Sequence, residues 1–317
     1  MDFNYYHTNQ KEKDLPMKPA LIIGSTCVDI ILNLDHLPTT EEDLHPYSQS
    51  MAIGGCAYNV SNMLRLLGAK HTFITPIGGG IYGDYVHKYF TEHQIPISVY
   101  LPEKENGCCY CLVEATGERT FLSCHGVEYT FQEDWMESFS ADEHYLTYVC
   151  GLEIEEPTGE NLISYLEKHP QLEVCYAPGP RGCLIPPERM ERMLALHPIL
   201  HINEQESLQL SGKTNSVDAA RALQELTHNT VIITLGSRGA YCLEKGKTSY
   251  VVPSTRTTKK VDTIGAGDAH IGTILACLTN GMELRDAIAY ANMVCGVVIA
   301  THGATLKPEQ LPPIPQK

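Results

Sequence analysis

The chain carries Val261-Asp262-Thr263-Ile264-Gly265-Ala266-Gly267-Asp268-Ala269-His270, the stretch whose residue types are best suited to chemistry. A polar pair leads into Gly-Ala-Gly, then an acid, then apolar residues at helical spacing, Ile271, Ile274, Leu275 and Leu278. This pattern predicts a loop turning into a helix N-terminus, where the first backbone N–H groups have no partner inside the helix. Glycine lets a ligand approach those amides closely, and the helix dipole favours an anion there, phosphate above all. Asp268, in the first turn, is placed to take a proton from an attacking hydroxyl. The amides of Gly265, Ala266 and Gly267 would meanwhile hold the charge of a phosphoryl group in transfer. An ordinary turn with Asp268 as a helix cap accounts for the same tetrapeptide, so the rest of the chain must decide.

Three other segments bear polar residues beside glycines or at strand ends. Ala20 to Gly24 is a short apolar run with the profile of a buried parallel strand, and Asp29 follows it. Gly54-Gly55 precedes Asn59 and an apolar series at Val60, Met63, Leu64 and Leu67, stopped at Gly68; this predicts an amphipathic helix. Backbone amides freed by the glycine pair, with the donor and acceptor of Asn59, suit a polyol. Asn203 and Glu206 follow the apolar run 199–202.

The longer string Asp262-Thr263-x-Gly265-Ala266-Gly267-Asp268-Ala269 closely resembles the signature of the ribokinase-like (phosphofructokinase B-type) carbohydrate kinases. Five segments between Gly24 and Ala304 resemble that family in its own order. The resemblance implies an ATP-dependent kinase that phosphorylates a hydroxymethyl group of a small sugar. Asp268 would be the general base and Gly265 to Gly267 the anion hole; Asp29, Gly54, Gly55 and Asn59 would bind substrate. It further implies Asn203, Thr234, Gly236, Gly239 and Asn292 on the nucleotide side, and Glu206 on Mg2+ through water. Backbone groups at Asp262, Ile264 and Gly303 correspond to positions that hold a monovalent cation, K+ being the candidate. Two positions depart from the pattern: Gly80 stands where relatives carry an acid, and Ala177 precedes the Pro178-Gly179-Pro180 turn without one.

Several decoys fail on context. Gly78 to Gly83 satisfies the dinucleotide fingerprint Gly-x-Gly-x-x-Gly, but Thr75-Pro76 interrupts the preceding strand and Glu103 falls in a turn. Gly-Lys-Thr at 212 and 246 lacks the P-loop glycine, Ser207 and Tyr241 standing in its place. His197 and His201 have helical spacing, yet Pro198 argues against a helix. Cys108, Cys109 and Cys111 lack the usual zinc spacing and read as alternating strand residues. Arg238 is equally a phosphate neighbour and an exposed turn arginine.

Composition restricts the classes. Twenty-three Lys and Arg against 38 acids give a net charge of −15, which disfavours a nucleic-acid or anionic-membrane partner. No apolar run approaches the roughly eighteen residues of a membrane span, and no basic and apolar leader begins the chain. The 12 cysteines, scattered through predicted elements without an export signal, indicate reduced thiols and a cytoplasmic protein.

The elements that must position these residues are repeated βα units, which imply a mainly parallel sheet with helices on both faces. The resemblance implies a three-layer ribokinase-like α/β fold with a small β-sheet lid, and a homodimer through that lid. Residues 1–18 are expected to be a tail, 19–308 the kinase domain with lid strands from about 29–53 and 97–126, and 309–317 a C-terminal tail. A lid suits phosphoryl transfer because water must be kept from the nucleotide. The substrate is open: Cys56 stands where some sugar kinases have lysine, and Tyr58 either stacks on a nucleobase or packs beneath the lid. A nucleoside kinase, including a pseudouridine-type one, is therefore the second reading. A sugar phosphate ranks third, since the lid offers few cations besides Lys104 and Arg119. A non-catalytic sugar- or nucleotide-binding regulator is the alternative from another class.

Overall fold

The computed structural model describes residues 18–255, 265–301 and 306–314. Strand β1 (Ala20–Ile23) shows how the layers arise. Ala20 and Ile22 join one apolar core, Leu21 and Ile23 the other, as period-two alternation requires when both faces of a sheet are covered. The chain then runs through β2 (Cys27–Leu34), β3 (Ser48–Gly54), α1 (Cys56–Leu66), β4 (His71–Ile74), β5 (Pro76–Gly79) and α2 (Gly80–Glu92). Next come β6 (Val99–Glu105), β7 (Cys108–Glu114), β8 (Arg119–Cys124), α3 (Glu133–Glu137), β9 (Leu146–Cys150), α4 (Gly151–Glu155) and α5 (Gly159–Lys168). The remainder is β10 (Glu173–Ala177), α6 (Pro187–Ala195), β11 (Ile199–Asn203), α7 (Glu204–Ser211), α8 (Ser216–Thr227) and β12 (Val231–Thr234). It closes with β13 (Ala240–Leu243), β14 (Tyr250–Val252), α9 (Ala266–Thr279) and α10 (Leu284–Val298).

Eight strands form the central sheet in the order β14-β13-β12-β11-β10-β9-β1-β4. Its six strands from β12 to β4 are parallel, and β13 and β14 add an antiparallel edge. Helices α1, α2, α9 and α10 cover one face, α5, α6 and α8 the other. The sheet and its two helical layers are the expected α/β ribokinase-like architecture.

The lid is a four-stranded sheet in the order β3-β2-β7-β8, mixed in direction. One part of the expectation changes: β6, within 97–126, leaves the lid and pairs in parallel with β5. The cause is backbone proximity. A Cβ on Gly79 would lie 2.1 Å from the Pro102 carbonyl oxygen, and one on Gly83 2.1 Å from that of Gly78. Two glycines of the dinucleotide decoy, Gly78 and Gly83, thus serve chain-on-chain packing. Thr75 separates β4 from β5, as its proline neighbour suggested. At the other end, residues expected to trail away pack on the domain: Tyr290 donates its hydroxyl to the Pro312 carbonyl at 2.7 Å.

No helix among the described residues is long and apolar enough to cross a membrane. All twelve cysteines are unpaired thiols.

Candidate active site

The site is built where α9 begins, packed against α1. A Cβ on Gly272 would lie 2.9 Å from Met63 Cβ and 3.1 Å from Val60 Cα, so the glycine lets the two helices approach backbone to side chain. One turn earlier on each helix stand Asp268 and Asn59, and Asn59 Nδ2 donates to Asp268 Oδ2 at 2.9 Å. Gly265 caps α9 in the left-handed conformation (φ 68°), and among the described residues no side chain caps the helix. The first-turn amides have no partner inside the helix, as at any helix start, and they are candidates for an anion.

Burial pushes the Asp268 carboxyl up to about 6, against hydrogen bonds from Asn59 and Cys56 that hold it down. A carboxyl in that range is a serviceable proton acceptor near neutrality. Asp29, on β2, faces the same space and is also pushed up to about 6, first by burial and further by the charge of Asp268, with the Cys27 thiol working the other way. Gly54 is required for this placement, because a Cβ there would sit 2.2 Å from Asp29 Oδ2. Gly55 turns the chain into α1 with φ 102°, and a Cβ on it would meet the Ser25 carbonyl oxygen at 2.6 Å.

Asp29, Gly55, Asn59, Gly265 and Asp268 share one cavity of about 680 Å³ under the lid. Its outer wall is a part that sequence reasoning missed. Phe121 of β8 projects into it, His125 stacks on Tyr129 with ring centroids 3.9 Å apart, and Leu152 adds apolar surface. Pro180 and Arg181, from the turn that lacks the family acid, also line it; Arg181 is bound to Glu155, with Nε 2.7 Å from Oε2. Glu153 was missed too. It stands behind the wall, fully buried, accepting from the Ser25 N–H and hydroxyl at 2.9 and 2.8 Å, while its other oxygen has no partner among the described residues. Its place just past the end of a buried strand is the signal that was available, since parallel sheets bind ligands at their carboxyl ends.

The nucleotide-side candidates gather along that same edge. Asn203 and Thr234 are register partners at the ends of β11 and β12. Gly236 (φ 59°) and Gly239 (φ 96°) make the tight return to β13. Arg238 is exposed and paired with Glu204. Asn292 is buried, its amide donating to the Val252 and Pro253 carbonyls and accepting from His270. It fixes the end of β14, and its polar atoms are already engaged. Asn203 and Glu206 form a reciprocal capping box at the start of α7. Burial, with the charge of Asp268, raises the Glu206 carboxyl above its ordinary value. Tyr58 is 2% exposed and donates to the Tyr89 hydroxyl at 3.1 Å, so it packs in the core rather than facing a base. Asp262, Ile264 and Gly303 lie outside the described residues.

A family profile described as pfkB family carbohydrate kinase matches residues 17–311. The uncharacterised sugar kinase YegV of Escherichia coli is 30% identical over 294 residues, 91% of each chain. Among solved structures, Arabidopsis thaliana ribokinase complexed with ribose and ATP superposes with a TM-score of 0.76 at 17% identity, covering 93% of this chain and 96% of that one. Burkholderia thailandensis nucleoside kinase in complex with inosine gives 0.72 at 19%, covering 90% and 91%. At these identities the structures establish the fold. The profile, which spans nearly the whole chain, and the YegV relative establish more: this protein belongs to the pfkB family of carbohydrate kinases.

Proposed function

We propose that the protein transfers the γ-phosphate of ATP to a hydroxymethyl group of a small sugar, with Asp268 as the base. The observation that carries this is the half-buried Asp268 carboxylate held by Asn59 beside the glycine-led N-terminus of α9 and sharing one cavity with Asp29. Asp29, Asn59 and the Gly54–Gly55 backbone would orient the acceptor hydroxyls. Asp268 would take the proton of the attacking hydroxyl at a carboxylate oxygen, while the first amides of α9 face the phosphoryl group. Phosphoryl transfer needs such positioning and charge stabilisation more than covalent chemistry.

Glu206 fits a water-mediated Mg2+ contact. One oxygen is held by the Asn203 N–H at 3.1 Å, and the raised carboxyl would be returned to its charged form by a cation. Bound Mg2+ would offset the charge of the nucleotide phosphates. A K+ requirement, through the backbone at Asp262, Ile264 and Gly303, belongs to the same proposal, as do a cytoplasmic setting and a homodimer through the lid. The exposed Met51 and Leu122 on the lid are consistent with that dimer.

One observation favours a second reading, a nucleoside acceptor. The cavity is large for a monosaccharide, and its outer wall offers Phe121 and the Tyr129–His125 stack, surfaces on which a base can lie. A sugar phosphate is less suited, because Arg181 is already paired with Glu155 and acids dominate the wall. A screen of ATP consumption across neutral sugars, nucleosides and sugar phosphates tests all three. ADP formation dependent on a sugar or a nucleoside supports an enzyme, and none across the panel supports the regulator reading instead.

A further inference from the structure

Four side chains on one face of the lid form a cluster that phosphoryl transfer does not use in full. Strand β7 lies parallel to β2 with Cys109 opposite Asp29 and Cys111 opposite Ile31. Residues two apart on a strand share a face, so Cys27 and Asp29 of β2 and Cys109 and Cys111 of β7 project together. An oxygen of Asp29 and the two sulfurs of Cys109 and Cys111 all lie within 4.8 Å of one another. Cys27 Sγ is 3.7 Å from Asp29 Oδ1, and the Ser123 hydroxyl donates to Cys109 Sγ at 3.5 Å. Cys27, Asp29 and Cys109 line the cavity, and Cys111, 1% exposed, closes the back of the group.

We infer that Asp29, Cys109 and Cys111 form a binding site for a thiophilic divalent cation of the zinc class, its fourth position taken by water or by Cys27, whose sulfur lies 3.7 Å from Asp29 Oδ1. Thiolates select such ions over Mg2+. Zinc bonds of about 2.3 Å to sulfur and 2.0–2.2 Å to oxygen put tetrahedral ligand atoms roughly 3.3–3.8 Å apart. Shifts of about 1 Å in the ligand atoms of Asp29, Cys109 and Cys111 bring them from within 4.8 Å of one another to that spacing. The cluster gathers acidic groups without a basic partner among them. A divalent ion displaces the thiol protons to solvent and turns mutual repulsion into attraction. The cavity supplies the entry path.

The site has a consequence for activity that rests on the proposed function: Asp29 cannot hold both the ion and the acceptor, so the two compete. Binding itself is tested without ATP or acceptor. Co2+ titrated into the reduced full-length protein should give thiolate-to-metal charge-transfer absorption, reversed by Zn2+. Cys109→Ser and Cys111→Ser should each weaken binding by roughly 100-fold or more, beyond what a supporting residue costs. Cys124→Ser and Cys183→Ser, at exposed thiols, should leave it unchanged. Cys109 is only part-buried, so its variant remains informative where the buried Cys111→Ser fails to fold by circular dichroism. No charge-transfer band, a band that survives Cys109→Ser, or one lost in Cys124→Ser overturns the site. Cobalt binding without competition against the acceptor would keep the site and instead overturn the acceptor role of Asp29.

Discussion

Asn59 and Asp268, 209 residues apart in sequence, meet through a 2.9 Å hydrogen bond from Nδ2 to Oδ2. Each belongs to a helix that begins just after glycine, and the contact between those helices fixes the carboxylate's position. A hydrogen bond to a charged group contributes about 1.5–3 kcal/mol, enough to select one orientation of the acid.

The pH dependence follows from that environment. As the proposed base Asp268 would act only when deprotonated, and its carboxyl, like that of Asp29, is pushed up to about 6. kcat/KM should be level above that value and fall as pH drops through it, the limb belonging to the interacting pair. Asn59 holds the Asp268 value down, so Asn59→Ala should move the limb to higher pH. An unmoved limb in that variant would separate the limb from Asp268.

Gly54→Ala should act on substrate through Asp29. The new Cβ would fall 2.2 Å from Oδ2, so the carboxylate must swing away. Loss of its hydrogen bonds to an acceptor should lower kcat/KM about tenfold or more, mainly through KM, with an unaltered melting profile. Unchanged KM would remove Asp29 from the acceptor site.

Gly272→Val tests how the centre is held. Its side chain would be driven into Met63 and Val60. Overpacking of this kind costs typically about 1–3 kcal/mol, measurable by denaturant unfolding. The same separation of α9 from α1 should lower turnover more than it weakens acceptor binding.

Much of this was legible in sequence. The alternating runs announced a covered parallel sheet, and the strings around Gly54 and Asp268 marked the two halves of the centre. The exchange of β6 from the lid to β5 was not legible, because it depends on which backbones approach within a Cβ of each other at Gly79 and Pro102. Nor was the outer wall: Phe121, His125 and Arg181 come from three separate segments and share no spacing. The Cys109–Cys111 pair looked inert because its third partner, Asp29, lies eighty residues away and reaches it only through strand pairing. Asn292 was readable as a polar residue in an apolar helix, but not as one whose amide is spent on Val252, Pro253 and His270.

The central claim is that Asp268 deprotonates the acceptor. Its most direct test compares wild type with Asp268→Asn, using the acceptor found by the ATP-consumption screen, and measures turnover beside acceptor affinity. The account predicts nearly unchanged affinity and turnover reduced by roughly 10²–10⁴-fold or more. Turnover close to that of the wild type would contradict it.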